Sequence, residues 1–237
     1  MAADTLSQID AVRSSTSALE HTMAALTDAE AREPSLLPGW SRGHVLTHVA
    51  RNADALGNLV EWARTGVHTP MYPSRQERDA VIEAQSGRSA DELRLDVHDS
   101  HERLMAALGA LEPDAWGREL VWGSHDRHGP ASVIPFLRRT EVEVHHIDLN
   151  LDYTLAHWPE DFVEALLDDI ADESSHRDDF TGCVLVGNDD EGRWVVAGGG
   201  PEISGPPPSL LGWLIGRTNG IGLYTESGAL PPQGAWR

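Results

Sequence analysis

From Leu6 the apolar residues recur at Leu6, Ile9, Val12, Leu19, Met23 and Leu26, and this spacing of threes and fours is the strongest constraint on the chain. It marks one face of a helix, and a helix with one apolar face must bury it against others. The pattern predicts a first helix ending before Pro34, beyond which EPSLLPGWSRG breaks the period with two prolines and a glycine. Ser41 is placed as N-cap of a second helix running to about Arg64, Ser74 starts a short helix through Ala84, and Ser89 with Glu92 forms a capping box for another reaching Leu111. Residues 112–130 read as loop. A fourth major helix after Pro130 carries Val133, Ile134, Leu137, Val144 and Ile147, and a further one runs from Pro159 to about Ser174.

The period changes at Thr181. TGCVLV and RWVVAG flank GNDDEG, two β-rich runs around a hairpin tip, and Ser209 offers an N-cap to LLGWLIGR before GLYTE returns as a strand. The fold class expected is α+β: a four-helix bundle over residues 1–155 and a small α+β domain over 156–237 with its own leading helix.

Charge narrows the function. The chain has 18 basic and 38 acidic side chains, 18 − 38 = −20, and every basic residue is arginine. Such a balance repels nucleic acid and anionic membranes, and the absence of lysine excludes Schiff-base chemistry and a P-loop grip. The start MAADTLSQID has no signal-peptide apolar stretch, and the single Cys183 allows no internal disulfide, so a cytoplasmic location is expected. Cys183 lies in the apolar run CVLV and reads as a strand-core residue.

Twelve histidines make it useful to ask which point inward. With Glu141 at 0° on its helix, Ile134 falls at about 20°, Leu137 at about −40°, Val144 at about −60°, His145 at about 40° and Asp148 at about −20°. Glu141, His145 and Asp148 thus share the apolar face. Arg139, Glu143 and His146 fall on the opposite side, where His146 is expected to be solvated. A Glu-x-x-x-His pair is by itself an ordinary helix-stabilising contact. Joined by an inward imidazole from another helix it becomes a metal site of the open, three-ligand kind that catalytic zinc uses. His48 lies at the edge of the stripe Val45, Leu56, Leu59 and Ala63, and His44 lies further toward the polar side, so His48 is the candidate third ligand.

The segments GWSRGHVLTHVARNADAL, YPSRQERD, RRTEVEVHHIDL and LLGWLIGR resemble, in order, the signature segments of mycothiol-dependent maleylpyruvate isomerases. The resemblance implies a DinB-like four-helix bundle holding Zn²⁺ on His48, Glu141 and His145, and a C-terminal domain whose Arg217 faces the metal and binds substrate. It implies isomerisation of maleylpyruvate to fumarylpyruvate by reversible addition of the low-molecular-weight thiol mycothiol, in the breakdown of aromatic acids. The partners expected are therefore that thiol and a small dicarboxylate. Two alternatives share the bundle. One is a mycothiol S-transferase acting on another electrophile. The other is a noncatalytic metal-binding module, which would close the site with a fourth protein ligand such as His44 or Asp148.

Overall fold

In the computed structural model, residues 2–123, 127–188 and 192–233 are described. The contacts divide the chain into two compact units, Met1–Asp152 and Tyr153–Arg237.

The first unit contains α1 (Ala2–Met23), α2 (Asp28–Ala31), α3 (Arg42–Thr65), α4 (Arg75–Gln85), α5 (Ala90–Gly109), the strands β1 (Glu119–Trp122) and β2 (Arg127–Pro130), and α6 (Ile134–Asp148). Helices α1, α3, α5 and α6 pack on one another as a four-helix bundle, with α4 laid against α3. The expected caps form. The Ser41 side chain accepts from His44 N in a capping box, Ser89 does the same with Glu92, and Ser74 accepts from Glu77 N. Helix α3 stops at Gly66, whose left-handed φ of 76° lets its N–H reach Trp62 O.

Three expectations change. The first helix ends at Met23, and a separate four-residue helix with a capping box between Thr27 and Glu30 follows. Residues 112–130, read as loop, contain an antiparallel hairpin in which Glu119 pairs with Pro130 and Trp122 with Arg127. Its Leu120 and Trp122 are buried against α3, α5 and α6. The third change concerns α6, which is packed on two sides, by α3 and by α1. Glu143 and His146 face α1 and are buried: Ser15 Oγ donates to Glu143 Oε1 at 2.5 Å, and His146 Nε2 lies 2.7 Å from Thr22 Oγ1. His146 is therefore an interior residue, because the side opposite the apolar stripe has a second helix on it.

The bundle core is layered. One apolar cluster includes Val12, Leu56, Leu104, Trp122 and Leu137, the other Leu19, Val45, Leu93 and Val142. Between them each helix contributes buried polar groups: Ser15 and Thr16 from α1, His48 and Asn52 from α3, Ser100 and His101 from α5, Arg138 and Thr140 from α6.

The second unit begins with a 3₁₀ turn at Leu155–His157, followed by α7 (Glu160–Ser174), β3 (Cys183–Gly187), β4 (Arg193–Val196), β5 (Glu202–Gly205), α8 (Pro207–Leu214) and β6 (Tyr224–Thr225). The sheet order is β4-β3-β5-β6, with β3 antiparallel to β4 and parallel to β5. The expected hairpin and final short strand are present, with residues 189–191 of the GNDDEG tip outside the described residues. Strand β5 was not anticipated. Helix α8 is capped by Pro206, two prolines entering its first turn, so Ser209 lies inside it rather than at its cap. No described helix is long and apolar enough to cross a membrane.

Gly43 sets how closely α3 approaches the end of α4, since a Cβ there would overlap the carbonyl oxygen of Ser86. Gly43→Ala is expected to cost about 1–3 kcal/mol as the two backbones are forced apart, read from urea or thermal unfolding. An unfolding midpoint equal to wild type would show that this contact is not tight.

Candidate metal centre

The three expected metal ligands come together. His48 on α3 and Glu141 and His145 on α6 present ligand atoms that all lie within 4.8 Å of one another, the one such group of three or more among the described residues. His48 Nε2–H donates to Glu141 Oε2 at 2.9 Å, and His145 Nε2 stands 3.4 Å from the same oxygen. The two imidazole rings meet edge-on with centroids 4.6 Å apart, and the Trp40 ring packs against His48 at 5.6 Å.

The register of α3 against α6 makes this geometry, and Arg42 fixes that register. At the first turn of α3 its guanidinium donates to Leu149 O at 2.7 Å and Asn150 O at 3.1 Å, the carbonyls at the end of α6. A buried cation there also meets the negative end of the α6 dipole.

The donor set fits a zinc ion. Ligand atoms each about 2.1 Å from a tetrahedral ion lie about 3.4 Å from one another, close to the spacings seen here. His145 Nδ1–H donates to Asp148 Oδ2 at 2.8 Å, with Asp148 fully buried. That bond leaves Nε2 as the nitrogen facing Glu141, the arrangement a carboxylate imposes on a metal-binding imidazole. Asp148 is engaged in this way and is not a fourth member of the cluster. His44 is likewise held elsewhere: its Nδ1 accepts from Ser41 N at 3.2 Å and its Nε2–H donates to Glu83 Oε2 at 3.1 Å. A cleft of about 370 Å³ opens beside Trp40 and His44, lined also by Arg78, Asp79, Ile82 and Glu83.

Electrostatics separate the two histidines. Burial, with His145's charge, pushes His48 below the ordinary imidazole range despite its bond to Glu141. Burial acts the same way on His145, but the hydrogen bonds to Asp148 and Glu141 outweigh it and raise the pKa. For Glu141 burial is opposed by both imidazoles, which hold the carboxyl well below its usual value.

Arg217, the fourth expected residue, belongs to the second unit and follows α8. Gly216, with φ 72°, ends the helix in a Schellman turn: Gly216 N donates to Trp213 O at 3.0 Å and Arg217 N to Gly212 O at 2.8 Å. The turn holds the Arg217 backbone firmly, and its Nη1 donates to Ile215 O at 3.1 Å.

One neighbour of the trio escaped the sequence reading. Arg138 is fully buried in the polar layer, where its Nη1 donates to Val49 O at 2.7 Å and Asn52 Oδ1 at 3.0 Å. Burial draws its pKa down to about 10, still protonated at neutral pH. The signal was available: at about 60° on the same wheel it lies beside His145.

Against known families, residues 12–150 match the mycothiol maleylpyruvate isomerase N-terminal domain and residues 157–232 the C-terminal domain of the same enzyme. The chain belongs to the mycothiol-dependent maleylpyruvate isomerase family. Two crystal structures of mycothiol-dependent maleylpyruvate isomerase, one of a histidine-to-alanine mutant, are 32% and 31% identical to it, each with a TM-score of 0.91 and covering 98% of this chain and 97% of the other. No curated protein matches the chain in sequence.

The opposed shifts of the two histidines give a measurable expectation for metal-free protein. An NMR titration should place the His145 midpoint above the ordinary value of about 6.5 and the His48 midpoint below it. The stability due to His145 is then fully present below about pH 6.5 and is lost as pH rises through its raised folded value; that due to His48 is present above about pH 6.5 and is lost as pH falls through its lowered one. Asp148→Asn should bring the His145 midpoint down. An unchanged midpoint in that variant would dismiss Asp148 as its cause.

Proposed function

We propose that this chain is a zinc- and mycothiol-dependent cis–trans isomerase converting maleylpyruvate to fumarylpyruvate. The observation that carries the reading is the convergence of His48, Glu141 and His145 in a chain whose structural neighbours are mycothiol-dependent maleylpyruvate isomerase. Zinc held there supplies a cation that keeps a thiol ionised, and since a free thiol of pKa about 8.5 is only a few per cent thiolate at pH 7, this is worth about 2 kcal/mol in population.

The thiolate adds to the cis double bond, and the electron pair moves onto the conjugated carbonyl. The bond left single rotates, and expulsion of the thiolate restores the double bond as trans. No oxidant or reductant is consumed. His48, Glu141 and His145 hold the metal, Asp148 orients His145, and Trp40 gives the His48 side an apolar wall. Arg217 holds a substrate carboxylate in its guanidinium fork, and in a protein of net charge −20 such local cations are what attract a dianion.

With three protein residues to hold it, a zinc ion there would keep a position open to a thiol. The engagement of His44 by Ser41 and Glu83, and of Asp148 by His145, argues against a closed, noncatalytic site. Cys183 makes a poor nucleophile: its side chain is buried in β3, and burial pushes the thiol up to about 11. The reacting sulfur must then come from outside, in keeping with a cytoplasmic enzyme supplied with a small thiol.

Zinc-loaded protein is expected to isomerise maleylpyruvate only when mycothiol is added, with Cys183→Ser active across the same titration. A stable thiol adduct in place of fumarylpyruvate would make the protein an S-transferase, and thiol-independent turnover abolished in Cys183→Ser would place the nucleophile in the chain.

Alanine at His48, Glu141 or His145 should remove most bound zinc, measured by metal analysis, whereas Arg217→Ala should keep zinc. Truncating one side of a buried charge pair costs about 2–5 kcal/mol, so Arg217→Ala is expected to lose about 30-fold to several thousandfold in kcat/KM. Near-wild-type kinetics in that variant would remove Arg217 from the substrate site.

A further inference from the structure

Two buried polar groups of the first unit feel the charge of Glu141 and keep donors that bond to none of the described residues. Arg138 Nε and Nη2, and the Tyr72 hydroxyl, have no hydrogen-bond partner among the described residues. Arg138 precedes Glu141 by three residues on α6, and the groups it does bond, Val49 O and Asn52 Oδ1, follow His48 by one and four residues on α3. It therefore lies about one helical turn from the trio, inside the bundle. Tyr72 arrives from the α3–α4 connection, which Asn58 Nδ2 anchors by donating to Met71 O at 3.1 Å, and the Arg78 guanidinium lies 5.9 Å from its ring centre. Glu141 is the charge that acts most strongly on both Tyr72 and Arg138, and each of the two also feels the other. Glu141 meets both imidazoles through Oε2, so its Oε1 is left for further donors.

Unpaired donors are costly to bury, and proteins keep them where a function uses them. Ligating carboxylates, like ligating imidazoles, are held by hydrogen bonds from behind. His145 has such a partner in Asp148; for Glu141 the candidates are Tyr72 and Arg138, the unbonded donors that feel its charge. We infer that Tyr72 and Arg138 are positioning residues for Glu141: with a divalent cation in the trio, the Tyr72 hydroxyl and Arg138 Nη2 donate to Glu141 Oε1 and hold Oε2 as the single ligating oxygen. The same segment, YPSRQERD, thereby acquires a role: Ser74 caps α4 and Tyr72 reaches back to the carboxylate.

The inference rests on the metal reading of the trio and is independent of the reaction. It is tested by competing zinc between a chromophoric chelator and full-length wild type, Tyr72→Phe or Arg138→Lys, and by recording the d–d absorption of the same proteins loaded with cobalt(II). Tyr72→Phe is expected to bind zinc about 10- to 100-fold more weakly and to shift the cobalt bands, while its metal-free form melts no lower than wild type. Arg138→Lys, which keeps a charge and loses the planar fork, should also shift the bands. Zinc affinity and cobalt spectrum of Tyr72→Phe equal to wild type would overturn the inference while leaving the metal reading intact. A parallel fall in the melting point of metal-free Tyr72→Phe would also overturn it, by assigning the residue to the fold. Wild type binding neither ion would reject the metal reading, and this inference with it.

Discussion

Arg42 joins the first turn of α3 to the last carbonyls of α6, and the geometry of the trio depends on that junction. The ligands come from two helices, so a shift of one helix past the other by a single residue, about 1.5 Å, would separate His48 from Glu141. The junction has a second strand: Leu36 N donates to Asp148 O at 2.9 Å, tying the segment before α3 to the same end of α6. Asp148 thus receives the loop on its backbone and His145 on its side chain. The residue that orients the imidazole also anchors the segment carrying Trp40, whose ring packs on His48.

The site was legible because helices impose a fixed angle per residue. Arithmetic on one segment placed Glu141, His145 and Asp148 together, and each is where that arithmetic put it. The same arithmetic put Glu143 and His146 on the opposite side, where they are, but the solvation expected of His146 failed, since it assumes a helix with one buried side, whereas α6 lies between α3 and α1. Arg138 was within its reach and was missed for a different reason. An arginine is normally taken as a surface residue, and nothing in the sequence signals that Val49 O and Asn52 would wait for it in the interior.

The β elements were read unevenly, for a reason of length. TGCVLV and RWVVAG are long enough to show strand composition, and they pair as a hairpin. ELVW and RHGP are four residues each, and the second carries glycine and proline, so local preference says turn and only the burial of Leu120 and Trp122 against the bundle makes a hairpin of them. EISG has a glycine and only one large apolar residue. It becomes a strand because β3 offers it a parallel edge.

The layered bundle core has an energetic consequence. Two apolar clusters separated by buried charges and hydroxyls are two hydrophobic nuclei strung on the same four helices, and contacts within each do not by themselves make the pair unfold as one. A ligand bridging α3 and α6 in the dividing layer would couple them. Bound only by the folded state, at a free concentration a hundred times its dissociation constant, it adds about 2.7 kcal/mol to the whole. A cation bound there would then be a cooperativity element: two nuclei free to exchange their amide hydrogens separately would do so as a single unit.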